Sequence, residues 1–227
     1  MHIPDGFLST EVAAGTAVFA AAAVGAGLHR AGTRLDDRQV PLLGVTGAFV
    51  FAAQMLNFPV AGGTSGHFLG ATLATILLGP WLASLVLAVV LATQSFVFAD
   101  GGVSALGANV VNMGVTGALV VGGLMLAARR VLPRRRAVLL CVAGAGAWLA
   151  VVAGAAATSV CLALSGTVPL GTVLPAMLAV HVVIGVGEAV VTVAALGALI
   201  ATRPDLIGGW APAQPTQPRA VALPQGA

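Results

Sequence analysis

The sequence predicts an all-α, polytopic membrane protein with seven transmembrane helices, and three observations carry that class. Hydrophobic residues make up 59% of the 227 and charged residues only 7%, with a mean hydropathy of +1.03, a balance outside the range of soluble domains. The apolar runs are long and are broken by Gly, Pro and Arg. No segment of about ten residues alternates polar and apolar positions, which argues against a barrel of strands.

The runs fall at 10–28, 39–57, 67–79, 81–98, 105–128, 137–164 and 172–202. Ser9 followed by Glu11 reads as a helix N-cap with an acid in the first turn, which starts the first helix. Small residues at Ala13, Ala17, Ala21 and Gly25 recur every fourth position along it, a face for a partner helix or for internal packing. The stretch 67–98 is too long for one crossing of about 20 residues, and Gly79-Pro80 in its middle marks a turn. Arginine parity decides its reading. Arg30, Arg34 and Arg38 form one cluster, Arg129, Arg130, Arg134, Arg135 and Arg136 a second, and Arg203 and Arg219 follow the last run. With seven crossings all ten share one face, which the positive-inside rule makes cytoplasmic. The N-terminus is then outside, with the loop from Phe58 to Gly66, the loop around Asp100 and the loop from Ser165 to Gly171. The C-terminus is cytoplasmic.

These elements imply one membrane domain, 1–202, whose first nine residues form an arm, and a disordered cytoplasmic tail at 203–227 rich in Pro, Gln and Ala. The net charge of +3 comes from arginines between apolar runs and in the tail, a topology signal rather than a nucleic-acid surface. Cys141 and Cys161 lie in one apolar run, about 30 Å apart if helical, and cannot pair.

The opening MHIPDGF has no basic n-region or cleavage site, so Met1 is expected to be the mature terminus. A free terminal amine, the backbone nitrogen of residue 2 and Nδ1 of a histidine at residue 2 close a five- and a six-membered ring around one metal ion and leave one in-plane position open. Met1-His2 is therefore a three-nitrogen donor. Such ligands suit late first-row divalent metals, Ni(II) and Cu(II) first, with Co(II) also accommodated. The fourth donor is expected from His67, which follows the Gly-rich loop of NFPVAGGTSGHFLGA and opens the short third span, with Thr64 or Ser65 as its cap. Intramembrane histidines mark functional sites or helix contacts. His29 beside Arg30 reads as solvated. His181 and Glu188, seven apart in HVVIGVGE, share a helix face and read as a polar helix or partner contact.

The segments MHIPDGF, FAAQMLNFPVAGGTSGHFLGA, LLGPW, ADGGVSALGANVVNMGV and GVGEA resemble, in order and spacing over residues 1 to about 190, the CbiM/NikM family. These are the substrate-specific membrane subunits of cobalt and nickel energy-coupling-factor transporters. The resemblance implies a seven-helix fold whose extra N-terminal helix delivers the first residues into a central site. There Co2+ or Ni2+ is bound as transported substrate by Met1, His2 and His67, with no resident cofactor. It also implies a transmembrane coupling subunit, two cytoplasmic ATPase subunits, often a small accessory membrane subunit, and residence in a prokaryotic plasma membrane. The sequence contains no Walker A motif and no lysine, so this subunit is expected not to be an enzyme, with ATP hydrolysis supplied by another chain. Gln54, Asn57, Ser65, Gln94, Asn109 and Asn112 are expected near the site, as supports for the ligand rings or the arm, or as ordinary interhelical hydrogen-bond partners. A rival reading takes Gly63-Thr64-Ser65-Gly66 with His181 as the serine and base of a rhomboid-like intramembrane protease. That reading leaves Met1-His2 and His67 unexplained.

Overall fold

The computed structural model describes residues 1–35, 39–60 and 64–207, so most of the expected tail lies outside the described residues. The first helix, α1 (Thr10–Arg34), starts where the sequence sets its cap: Ser9 is extended, its Oγ accepts from the Val12 amide, and Glu11 lies in the first turn. Next, α2 (Gln39–Gln54) turns Thr46, Val50 and Gln54, every fourth residue, inward. Most of the expected loop at 58–66 is instead flanked by strand: β1 (Asn57–Val60) pairs antiparallel with β2 (Thr64–His67), and Asn57 stands opposite His67.

His67 therefore ends a strand and does not open a helix, and neither Thr64 nor Ser65 is a cap. The helix α3 (Ala71–Leu78) begins four residues later, after Gly70 in the left-handed region at φ +72°. A side chain at Gly70 would be strained there, and its Cβ would lie 2.7 Å from a Val50 methyl. All eight residues of α3 are buried. At about 1.5 Å per residue the helix is about 12 Å long, well short of a hydrocarbon core of about 30 Å. Extended chain from β2 to Gly70 makes up part of the expected third run.

The reversal at Gly79-Pro80 is as expected. Gly79 has φ +80° and Pro80 opens α4 (Pro80–Phe98), where its missing N–H costs nothing. A short α5 (Leu106–Asn109) continues through one π-helical turn, Val110–Val115, into α6 (Thr116–Val131) as one unbroken run. α7 (Arg136–Leu164) and α8 (Leu170–Thr202) complete the bundle and pack along one another. Trp148 of α7 donates its indole N–H to the Val182 carbonyl at 3.2 Å, and Gly185 leaves room for its ring. Among the described residues, five segments are long and apolar enough to cross a membrane: α1, α4, the run 106–131, α7 and α8.

The two ends of the bundle differ in chemistry. At one end the Arg30 guanidinium stands 4.6 Å from the Trp81 ring centroid, Arg136 donates to the Gly197 carbonyl, and Gln39, Gly79 and Arg129 line one cleft. At the other, the arm meets residues 100–104, and Thr167 between α7 and α8 donates to the Phe7 carbonyl. Of the small stripe on α1, Ala17 contacts Gly107, while Ala21 and Gly25 are exposed. Cys141 and Cys161 are both free thiols.

Candidate metal centre

The arm is held backbone first. Asn109 grips Ile3 with both ends of its amide: its Oδ1 accepts from Ile3 N at 2.8 Å and its Nδ2 donates to the Ile3 carbonyl at 3.1 Å. The Gly102 amide donates to the same carbonyl at 2.9 Å. Asp5 Oδ1 accepts from both the amide and the hydroxyl of Ser104. The match in shape is close enough that a Cβ on Gly102 would lie 2.3 Å from Asp5 N and 2.6 Å from the Pro4 carbonyl carbon. Met1, His2 and Ile3 are all buried, Met1 and Ile3 completely. The Met1 sulfur lies 3.3 Å from where Gly154 of α7 would carry a Cβ.

Burial brings the donors together. The rings of His2 and His67 stack with centroids 4.4 Å apart and planes 19° from parallel. His67 Nδ1 lies 2.6 Å from the Phe68 carbonyl oxygen. A carbonyl only accepts, so this contact keeps the proton on Nδ1 and leaves the lone pair on Nε2, which is buried without a hydrogen-bond partner. Removal from water lowers the Met1 amine from its ordinary 8.0 to about 4, against the opposing pull of the Asp100 charge. The docked terminus is thus a neutral amine with a lone pair. His2 Nδ1 lies 3.0 Å from Asp100 Oδ1, and Nε2 lies 3.2 Å from Gln94 Oε1. Among the described residues, no three His, Cys, Asp or Glu side chains gather into a metal cage. A metal centre at this place would need the terminal amine and backbone as well as imidazole.

The expected supports divide into three groups. Gln94 contacts His2, and Asn109 holds Ile3. Gln54 Nε2 donates to the Leu69 carbonyl at 2.7 Å, just beyond His67. Asn112 instead reaches across to Thr158 and Cys161 of α7. The side chains of Asn57 and Ser65 lie outside the described residues. His181 is tied to its own helix by Nδ1, 2.7 Å from the Met177 carbonyl. Sequence reasoning overlooked Asp100 as a partner of His2. The signal was present: Asp100 is an acid followed by two glycines, Gly101 and Gly102, and a Cβ on Gly101 would meet the His2 ring at 3.2 Å.

Comparison with known proteins agrees with this architecture. A putative metal transport protein of Haloquadratum walsbyi is 39% identical over 209 residues, 91% of this chain and 93% of that protein. A putative fused nickel transport protein, NikMN, of Archaeoglobus fulgidus is 38% identical over 210 residues, 91% of this chain and 68% of its own length. The crystal structure of a transition metal transporter superposes with a TM-score of 0.80 at 32% identity, covering 88% of this chain and 93% of that one. The family profile described as cobalt uptake substrate-specific transmembrane region matches residues 2–206, and the chain belongs to that family.

Proposed function

We propose that this chain is the metal-binding membrane subunit of an energy-coupling-factor transporter importing Co2+ or Ni2+ into a prokaryotic cell. One observation carries the reading: the buried Met1 lies with His2 beside a buried His67 whose Nε2 has a lone pair and no partner. The Met1 amine, the His2 backbone nitrogen, His2 Nδ1 and His67 Nε2 supply four nitrogens, a set that favours square-planar Ni(II). Nδ1 of His2 donates to Asp100 only when it carries a proton and ligates only when it does not, so facing Asp100 and ligating the ion are alternative states of one ring. Substrate binding turns it from one to the other.

The topology is seven crossings, with α2 and α3 as short ones, the arm outside and the arginines inside. ATP is hydrolysed by two cytoplasmic ATPase subunits, coupled through a second membrane subunit, with a small accessory membrane subunit in some assemblies. Relatives named as fused nickel transport proteins support the view that such subunits work joined to others. No observation favours the protease reading.

Ni(II) and Co(II) titration of the purified chain tests the chelate. Inserting one alanine after Met1 moves the histidine to position 3 and adds a second backbone nitrogen to the ring system, which fills the position left for His67. We expect His67→Ala to lose high-affinity binding and His29→Ala to keep it, whereas in the insertion variant, whose four nitrogens all come from the terminus, adding His67→Ala should change little. An insertion variant that still depends on His67 as the wild type does would remove the terminus from the site.

A further inference from the structure

The GVGE segment of α8 is the one motif that the chelate does not use. Glu188 is 2% exposed in a membrane helix, where an acid is costly unless its oxygens are occupied. They are: Oε2 accepts from the Leu69 amide at 2.9 Å and Oε1 from the Gly70 amide at 2.7 Å. No side chain of its own segment caps α3. Glu188 therefore supplies the cap from another helix.

The covalent geometry carries this contact to the metal ligand. The Leu69 N–H and the Phe68 C=O are the two edges of one planar trans peptide and point in opposite directions. Glu188 holds the N–H edge, and His67 Nδ1 is hydrogen-bonded to the C=O edge. In the next peptide plane Gln54 donates to the Leu69 carbonyl while Glu188 accepts from the Gly70 amide. Two consecutive peptide planes are thus each fixed at both edges. Gly187, one residue before Glu188, brings α8 against the Phe68 ring, whose Cζ is 3.8 Å from where a Cβ would stand.

We propose that Glu188 is a positioning residue for the metal ligand His67, acting through the Phe68–Leu69 peptide plane to aim Nε2 at the open position of the Met1-His2 chelate. The proposal rests on the chelate reading above. Losing the N–H anchor frees the peptide to rotate, which moves the carbonyl that orients the imidazole. Partners of this kind, which orient a ligand without touching the ion, are worth about ten- to a hundredfold in metal affinity.

The test uses the full chain in detergent with Ni(II) as the probe, reading affinity and the visible ligand-field band. We expect Glu188→Ala and Glu188→Gln to lower affinity about ten- to a hundredfold and to move the band to its position in His67→Ala, where a weaker donor replaces imidazole. Adding either substitution to His67→Ala should cost little more, since both remove the same donor. Glu188→Gln is close to isosteric and keeps one acceptor oxygen, so it carries the test if Glu188→Ala fails to assemble. A role confined to capping α3 would lower the unfolding temperature and leave the band of the folded protein unchanged, which would overturn the proposal. If His67→Ala itself keeps the wild-type band, the chelate reading fails, and the role of Glu188 fails with it. A band altered by His67→Ala but not by the Glu188 substitutions removes only Glu188.

Discussion

In the proposed site Met1 meets two demands that agree: its amine must be neutral to ligate, and leaving water on docking favours the neutral form. The docked amine sits at about 4 against 8.0 when free. A depressed value means that protons favour the undocked arm. Docking of the metal-free arm is therefore unopposed above pH 8 and weakens as pH falls, by about 1.4 kcal/mol or tenfold per unit, until pH approaches 4. The Met1 methyl group, packed beside Gly154 when docked, gives a direct readout. In protein labelled at methionine methyl groups, the docked resonance should lose intensity to a free one as pH falls from 8 to 5 without metal. A ratio that stays constant across that range would show that the amine is not desolvated on docking. Sequence reasoning could propose Met1, His2 and His67 as donors because ring size and membrane face are properties of position. It did not reach Asp100, since a contact between residues 2 and 100 exists only once the arm has folded inward.

At the scale of elements, the helices were legible and their junctions less so. Long apolar runs with Ser9, Gly79-Pro80 and the arginine clusters locate α1, α4, α7 and α8, because span length and caps are local properties. The ribbon before His67 was not legible, since NFPV and TSGH are short and lie among glycines. Nor was the start of α3, which depends on Gly70 and on a carboxylate 118 residues away. The Asp-Gly-Gly segment shows how a loop can be specified by what must approach it. Gly102→Ala puts a methyl into the backbone of Pro4 and Asp5, and the displacement costs about 1–3 kcal/mol. Metal affinity should fall about ten- to a hundredfold while the helical unfolding transition stays within a few degrees. Gly123→Ala, with nothing within 4 Å, is the control. Unchanged affinity in Gly102→Ala would mean that the arm binds metal without this seat.

For the whole molecule, the separation of chemistry between its two ends makes orientation testable. Arg30, Arg129 and Arg136 lie at the end where α1, α6 and α7 approach Gln39, Pro80 and Gly197, and the arm, Asp100 and Thr167 lie at the other. Each arginine held in the hydrocarbon core would cost several kcal/mol, so an aqueous surface is expected at the arginine end, and the proposed topology makes that surface cytoplasmic by the positive-inside rule. The chain reverses at Gly79-Pro80 at the same end, which is compatible with the proposed seven crossings even though α3 is short. Single cysteines at positions 33 and 134 should then react with an impermeant maleimide only after the membrane is opened, and a cysteine at position 62 should react in intact cells. The native thiols need replacing first, because Cys141 is exposed in the described structure. Position 134 is the decisive one, as it lies within the five-arginine cluster. Labelling there from the outside would invert the bundle, put the arm in the cytoplasm and turn the site away from the ion it is proposed to import.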